Sequence, residues 1–149
     1  MTTLIIVIGL PGSGKTHYLE ELKAQKKIVA YYDDYQKKSY GHDSNPMLSR
    51  HYGPLLSRLK RGQSMAISDI VYTREDDLDA VVLSVLHALP EIAVELHYFE
   101  NNPGKAISNI TERARANYME KELAFVKENS PNYVVPEIKK LKIHSKEKP

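Results

Sequence analysis

Apolar runs and amphipathic stretches alternate along the chain. Residues 4–8 (Leu-Ile-Ile-Val-Ile) form a continuous apolar run, which predicts a strand buried on both faces of a parallel sheet. Shorter runs predict further strands at residues 27–32, 64–69 and 92–99. The spacing of apolar positions between the strands predicts helices over residues 15–25, 47–61, 73–90 and 103 to about 128.

Three local features refine these boundaries. Gly53-Pro54 lies inside the helical stretch 47–61 and is expected to kink or split it. Thr73 and Asp76 have the spacing of an N-terminal cap, so we expect the threonine hydroxyl to begin the helix that stops at Pro90. Residues 139–149 contain five lysines and one glutamate, which predicts a tail that is frayed or solvated at its end.

The order of elements predicts an α/β fold. Strands and helices alternate in units of about thirty residues, the pattern of parallel strands joined by helical crossovers. We expect a three-layer arrangement, with a parallel sheet of four to five strands, helices on both faces and a short helical lid. In such folds the ligand lies at the carboxyl ends of the strands.

Composition limits the class of protein. With 149 residues, 42% hydrophobic and 27% charged, the chain is expected to form one soluble domain over residues 1–149. The absence of cysteine excludes disulfides, thiolate zinc sites and cysteine nucleophiles, and it fits a reducing, cytoplasmic compartment. No apolar run is long enough to span a membrane, and no signal peptide is recognisable. The net charge of +2 permits an anionic ligand without requiring one.

A glycine-rich segment follows the first predicted strand. Residues 9–16 match the Walker A pattern G-x-x-x-x-G-K-[ST] without a gap. Glycines let backbone N–H groups turn inward around phosphate oxygens, and the first turn of the following helix adds its positive dipole end. A glycine-rich turn with no ligand is the alternative, but the strand before the motif and the helix after it favour nucleotide binding. The predicted nucleotide-binding residues are Gly9, Pro11, Gly12, Ser13, Gly14, Lys15 and Thr16.

Acidic residues follow two of the predicted strands. Lys15 is expected to reach the outer phosphates and the Thr16 hydroxyl to ligate Mg²⁺. Asp33 or Asp34 could accept a proton from an attacking hydroxyl, although such a pair also caps helices or begins turns. Asp69 ends the third strand, where an acid can hold a water of the magnesium shell or cap a loop.

Cationic residues follow the fourth predicted strand. Arg113 and Arg115 lie in a helical stretch, and Asn109 shares a helix face with Arg113. A guanidinium over the transferring phosphoryl group stabilises its charge, so both arginines are candidate nucleotide-binding residues. A solvated helix face with Glu112 and Glu120 as partners is the alternative.

Together these motifs resemble the P-loop kinases, and most closely the phage-type polynucleotide 5′-kinases. The resemblance is carried by residues 9–16, Asp33-Asp34-Tyr35, Ser68-Asp69 and the Asn109/Arg113 pair, and it weakens after about Arg115. It implies that ATP and Mg²⁺ are cofactors and that Asp33 is the general base. It also implies that Lys15 and Arg113 stabilise the γ-phosphoryl group, while Asp69 supports the magnesium or the base.

The chain departs from that family at two points. Asn109 stands where the first lid arginine is expected, so Arg115 could act in its place. Bifunctional relatives also carry a 3′-phosphatase, which is not expected within residues 1–149.

Three functions are therefore weighed. The first is a kinase whose acceptor is a nucleic-acid 5′ end, with no membrane partner. The second is a P-loop kinase of a nucleoside, nucleotide or small metabolite. A non-kinase nucleotide-binding switch is disfavoured, because no N-K-x-D guanine motif occurs.

Several aromatic residues near the acids could stack on an acceptor base or simply pack against helices, namely Tyr31, Tyr32, Tyr35 and Tyr40. The six histidines show no metal-ligand spacing and are expected at the surface or in the core.

Overall fold

A five-stranded sheet, parallel throughout, forms the centre of the protein. The computed structural model describes residues 2–38, 41–42, 45–113, 119–136 and 140–141. In chain order the strands of this sheet are β1 (Thr3–Ile8), β2 (Ala30–Tyr32), β5 (Met65–Ser68), β6 (Ala93–Phe99) and β7 (Lys140–Leu141). Their spatial order is β2-β5-β1-β6-β7. Strands β3 (Lys37–Lys38) and β4 (Gly41–His42) form a separate antiparallel pair.

Within the described residues, five α-helices accompany the sheet. They are α1 (Lys15–Ala24), α2 (Tyr52–Lys60), α3 (Glu75–Ala88), α4 (Pro103–Arg113) and α5 (Met119–Asn129). Shorter 3-10 helices lie at Pro46–Leu48, Ile70–Thr73 and Ser130–Asn132. In the described residues no helix is long and apolar enough to cross a membrane.

The central strand β1 divides the core into two halves. Leu4, Ile6 and Ile8 join the apolar cluster that contains buried side chains of α2 to α5. Ile5 and Val7 point to the other face and join a smaller cluster with α1. Because side chains of a strand alternate between faces, helices on both sides bury residues 4–8 of this strand. The structure therefore confirms the predicted α/β class, with helices on both faces of a parallel sheet.

The second strand is shorter than predicted. Residues 27–32 were expected to be extended, but the turn that ends α1 occupies the first of them. Lys26 has a φ of 59°, and the Lys27 amide donates a hydrogen bond to the Leu22 carbonyl at 3.0 Å. Such a left-handed residue after a helix satisfies its last carbonyls, so the strand begins only at Ala30.

The helical stretch 47–61 is split, as the sequence indicated, but before Gly53-Pro54 rather than at it. The split lies at Ser49, whose hydroxyl donates to the Tyr35 carbonyl at 2.6 Å and accepts from the His51 amide at 3.1 Å. Gly53 and Pro54 fall in the first turn of α2. Proline is tolerated there because the first amides of a helix need no helical partner.

The predicted cap at Thr73 is wrong. The Thr73 hydroxyl donates to the Ile70 carbonyl at 2.9 Å, inside the 3-10 helix that follows β5. Arg74 occupies the N-cap position and makes no side-chain capping bond. Three acidic residues in the first turn of α3 instead complement the positive end of the helix dipole, namely Glu75, Asp76 and Asp77.

The basic tail was expected to be frayed or solvated at its end. At the start of that tail, Lys140 and Leu141 pair with Tyr98 and Phe99 of β6, which extends the sheet by one short strand. Residues 142–149 lie outside the described part of the chain. The single helix expected from 103 to about 128 is described as α4 and α5, with residues 114–118 outside the description.

Candidate phosphate-binding site

The glycine-rich loop (residues 9–14) connects β1 to α1 at the carboxyl end of the central strand. Gly12 and Gly14 have φ values of 81° and 95°, a left-handed conformation that favours glycine. The amide and hydroxyl of Ser13 both donate to the Leu10 carbonyl, at 3.2 and 2.7 Å. The loop is therefore a tight turn that ends at the N-terminus of α1, where backbone amides favour an anion.

Helix α4 packs directly against this loop. A Cβ atom on Gly12 would lie 2.5 Å from the Ala106 carbonyl oxygen and 2.9 Å from Ile110 Cγ1. Asn109, which is 6% exposed, donates from Nδ2 to the Gly12 carbonyl at 2.9 Å. The residue expected at the first lid position thus contacts the loop backbone, a role that its spacing from Arg113 did not reveal.

Lys15 is buried at the start of α1. Its ammonium group donates to the carbonyls of Gly9 and Leu10 at 3.0 and 2.9 Å. Burial lowers the pKa of Lys15 to about 8, although Asp33 and Asp34 oppose this shift. A cation so poorly solvated gains more from an arriving anion than an exposed one would.

The structure brings Thr16 and Asp33 together. The Thr16 hydroxyl donates to Asp33 Oδ2 at 2.5 Å, and Asp33 Oδ1 accepts from the Asp34 amide at 3.0 Å. Asp34 has a φ of 50°, so the chain turns sharply immediately after Asp33. Asp33 faces the glycine-rich loop, as its prediction as a site residue requires.

These oxygen atoms fit a magnesium ion that also binds phosphates. A hydroxyl that donates its proton to a carboxylate keeps its lone pairs for another partner. Within the described residues, no group of three or more His, Cys, Asp or Glu side chains could hold a metal ion. Mg²⁺ normally uses only one or two protein ligands together with phosphate oxygens and water, so the Thr16 and Asp33 oxygens suit it.

Asp69 is fully buried at the end of β5. Its Oδ2 accepts from the Gln36 amide at 2.7 Å and its Oδ1 accepts from the Val71 amide at 3.1 Å. The carboxylate therefore caps the 3-10 helix Ile70–Thr73 and fixes the chain that follows Asp33-Asp34. Its negative charge also slightly opposes the lowering of the Lys15 pKa. Its expected support of a magnesium ion remains a prediction.

Arg113 is the last residue of α4 and forms an ion pair with Glu122 of α5. Asn109, one turn earlier on α4, contacts the loop backbone, and the positive charge of Arg113 is among the influences that lower the pKa of Lys15. Glu112 and Glu120, the partners considered from the sequence, are both exposed. Arg115 lies outside the described residues.

An aromatic pair lies beside Asp33. The rings of Tyr32 and His51 are stacked, with centroids 4.4 Å apart and planes 17° apart. Burial and the neighbouring Arg50 lower the pKa of His51. Tyr35 is buried, and its ring centroid lies 6.2 Å from that of His51, with the two ring planes tilted by 36°. Nothing in the sequence distinguished His51 from the other histidines, because its partner is 19 positions away. Tyr40 lies outside the described residues.

Neither a protein-family model nor a curated protein sequence matches this chain. A chain of the Pnkp1/Rnl/Hen1 RNA repair complex is similar in structure, with a TM-score of 0.53 and 15% identity over 94% of this chain. This protein spans about half the length of that chain, of which the match covers 50%. The solved structure of APE1195 has a TM-score of 0.58 and 20% identity, over 96% of this chain and 85% of that one. The fold defined by the sheet and its helices is that of an α/β, P-loop NTPase-like protein.

Proposed function

We propose that this protein is an ATP- and Mg²⁺-dependent kinase that transfers the γ-phosphoryl group to a hydroxyl. The observation that carries the proposal is the Thr16–Asp33 hydrogen bond, which holds a carboxylate beside the glycine-rich loop and the buried Lys15. A loop of this pattern accounts for binding a triphosphate, and an acid next to it accounts for activating an acceptor.

Each residue then has a physical task. Backbone amides of the glycine-rich loop cradle the phosphates, and Lys15 and Arg113 balance the negative charge that spreads over the transferring group. Thr16 and Asp33 would hold Mg²⁺, which when bound neutralises phosphate charge. Asp33 also takes the proton of the acceptor hydroxyl while the oxygen of that hydroxyl forms the new bond to phosphorus. The bond from phosphorus to the bridging oxygen breaks, and ADP leaves with that electron pair.

The proposed acceptor is the 5′-hydroxyl of a DNA or RNA end. Tyr32 immediately precedes Asp33 in the chain, and its stack with His51 offers aromatic surface to a nucleobase. Arg50 is exposed next to it, and its Nε donates to His51 Nε2 at 3.3 Å. One structural neighbour comes from an RNA repair complex, which is compatible with a nucleic-acid acceptor. A nucleoside, nucleotide or small metabolite is the alternative acceptor, and it is consistent with the modest net charge of +2.

The deciding experiment follows labelled γ-phosphate from ATP onto a panel of acceptors. The panel contains 5′-hydroxyl DNA and RNA oligonucleotides, mononucleotides and nucleosides. Label on oligonucleotides supports the proposed acceptor, whereas label only on nucleosides or metabolites would overturn it. Release of phosphate to water without any labelled acceptor would favour a nucleotide-binding switch.

Asp33→Asn tests the base. We expect kcat to fall about 10²- to 10⁴-fold, because the amide cannot accept the proton, while nucleotide binding measured without Mg²⁺ stays nearly unchanged. Asp34→Asn is the matched control, since it changes the neighbouring carboxyl by the same atoms. A dead Asp34→Asn beside an active Asp33→Asn would show that the base has been assigned to the wrong member of the pair.

His51→Ala tests the aromatic pair. Loss of stacking should raise KM for an oligonucleotide by roughly 5- to 100-fold, since base–aromatic stacking is worth about 1–3 kcal/mol, and leave KM for ATP unchanged. His87→Ala, on the exposed side of α3, is the control. An equal effect of both variants on oligonucleotide KM would speak against the stacking role.

A further inference from the structure

Glu122 is a buried carboxylate with a cationic partner. It lies in the first turn of α5 and is 4% exposed, and its Oε2 accepts a hydrogen bond from Arg113 Nη2. Burying a carboxylate is costly unless it is paired, so this ion pair joins α5 to the end of α4. Nothing in the sequence motifs indicates Glu122, because it lies outside every pattern of the loop, the acids and the arginines.

The backbone position of Arg113 is fixed by contacts of α4 that do not involve Glu122. Asn109, one helical turn earlier, is bonded to the Gly12 carbonyl, and Ala106 packs against Gly12 with no room for a Cβ atom. These two contacts therefore fix the position of helix α4 against the glycine-rich loop. What remains free is the direction of the long Arg113 side chain, which has several rotatable bonds and about 2 kcal/mol of rotamer entropy to lose.

The electrostatics explain why a carboxylate is needed at this position. Arg113 lies one turn after Asn109, which contacts the Gly12 carbonyl, and its positive charge lowers the pKa of Lys15 at the end of the same loop. Like charges repel, and Asp33 and Asp34 are the carboxylates that most strongly offset Lys15. Glu122 provides the opposite charge for Arg113 and so makes it favourable to keep a second cation beside the loop.

The geometry leaves Arg113 able to bind an anion at the same time. A guanidinium has five N–H donors, and Glu122 occupies one of them. In the described residues, Arg113 Nε and Glu122 Oε1 are buried without a hydrogen-bond partner. We propose that Glu122 is a positioning residue that directs the Arg113 guanidinium toward the transferring phosphoryl group, an inference that rests on the proposed kinase function.

The test is a double-mutant cycle with two readouts. Glu122→Ala, Arg113→Ala and the double variant are compared for phosphoryl transfer, and for equilibrium binding of ADP with aluminium fluoride, which mimics the transferring group. Glu122→Ala should lower kcat about 10- to 100-fold, the loss that a misplaced catalytic group produces, while KM for ATP stays within threefold. In the Arg113→Ala background it should lower kcat no further, because a residue acting through Arg113 has nothing left to direct.

Control variants separate positioning from folding. Glu120→Ala removes an exposed carboxylate from the same turn of α5 and should leave both readouts unchanged. Glu122→Gln keeps an acceptor oxygen and the side-chain volume, so it should retain more activity than Glu122→Ala. It should lower the thermal midpoint because the Arg113 charge loses its partner, so activities are compared at a temperature where circular dichroism shows each variant folded.

Three results would overturn the inference: additive losses in the double variant, higher kcat in Glu122→Ala, or equal effects from Glu120→Ala. The fluoride complex makes this failure distinguishable from failure of the proposed function. If the wild type binds ADP with aluminium fluoride but labels no acceptor, the kinase proposal fails and the binding cycle alone decides the role of Glu122. A wild type that does not bind the complex overturns both.

Discussion

Replacing Gly12 by alanine probes the contact between the glycine-rich loop and helix α4. The residue has a φ of 81°, and an added Cβ would lie 2.5 Å from the backbone oxygen of Ala106. A backbone oxygen in a helix cannot rotate away, so either the loop or α4 must move. That movement also pulls the Gly12 carbonyl away from the buried Asn109 amide, whose bond is 2.9 Å long.

The expected loss of stability follows from these two contributions. A left-handed conformation costs an L-residue about 1–2 kcal/mol. The broken hydrogen bond costs about 0.5–1.5 kcal/mol, and more if the Asn109 amide stays buried without a partner. We therefore expect the free energy of unfolding to fall by roughly 2–4 kcal/mol. For a chain of 149 residues this corresponds to a decrease in Tm of about 5–15 °C.

The assay is urea denaturation followed by circular dichroism, with Gly53→Ala as the matched control. Gly53 lies in α2 with no atom within 4 Å of an added Cβ, so alanine there should be neutral or stabilise by up to about 1 kcal/mol. A Gly12→Ala variant within 0.5 kcal/mol of wild type, a margin about the size of an ordinary surface substitution, would refute the packing argument.

Two further predictions concern the edge of the core and the pH dependence of binding. The buried Tyr133 hydroxyl lies 3.3 Å from the Ile8 carbonyl and 2.5 Å from the Phe99 carbonyl, so Tyr133→Phe should destabilise the protein by about 1–2 kcal/mol in urea titration. Unchanged stability would contradict that role. Burial lowers the pKa of Lys15 to about 8, so the ammonium carries its charge below that pH and loses it above. The affinity for ATP should be constant below about pH 8 and fall by up to about tenfold per unit above it. A Lys15→Met variant should lack this pH dependence. A wild-type affinity for ATP that stays constant up to pH 9 would contradict the prediction that loss of the Lys15 charge weakens binding.

The parts of the site that the sequence predicted are local. The loop at residues 9–16 can be recognised from the sequence alone, because positive φ values and backbone amides turned toward an anion require glycine at fixed spacing. Asp33 and Asp69 were identified for a similar reason, since both follow strands of a parallel sheet and such strands end at one edge. In the structure Asp33 accepts a hydrogen bond from Thr16, and Asp69 caps the 3-10 helix that follows β5, while their roles in catalysis and metal binding stay predictions.

The failures of prediction are equally instructive. Thr73 has the spacing of a cap, but its hydroxyl bonds to the preceding 3-10 helix, which no local pattern announces. The short strand Lys140–Leu141 was not predicted, because its pairing partner is the edge strand β6, some forty positions earlier in the chain. In both cases the deciding partner belongs to an element that spacing alone does not place.

The sequence by itself thus determined the class of fold and the chemistry proposed for the loop, because apolar periodicity and glycine spacing act over a few residues. Tertiary structure alone decided which side chains surround that chemistry. Asn109 contacts Gly12 across 97 positions, His51 stacks on Tyr32 across 19, and Glu122 faces Arg113 from another helix. Charges and polar groups reach such partners only when packing excludes water and fixes their distance, and that packing is a property of the whole fold.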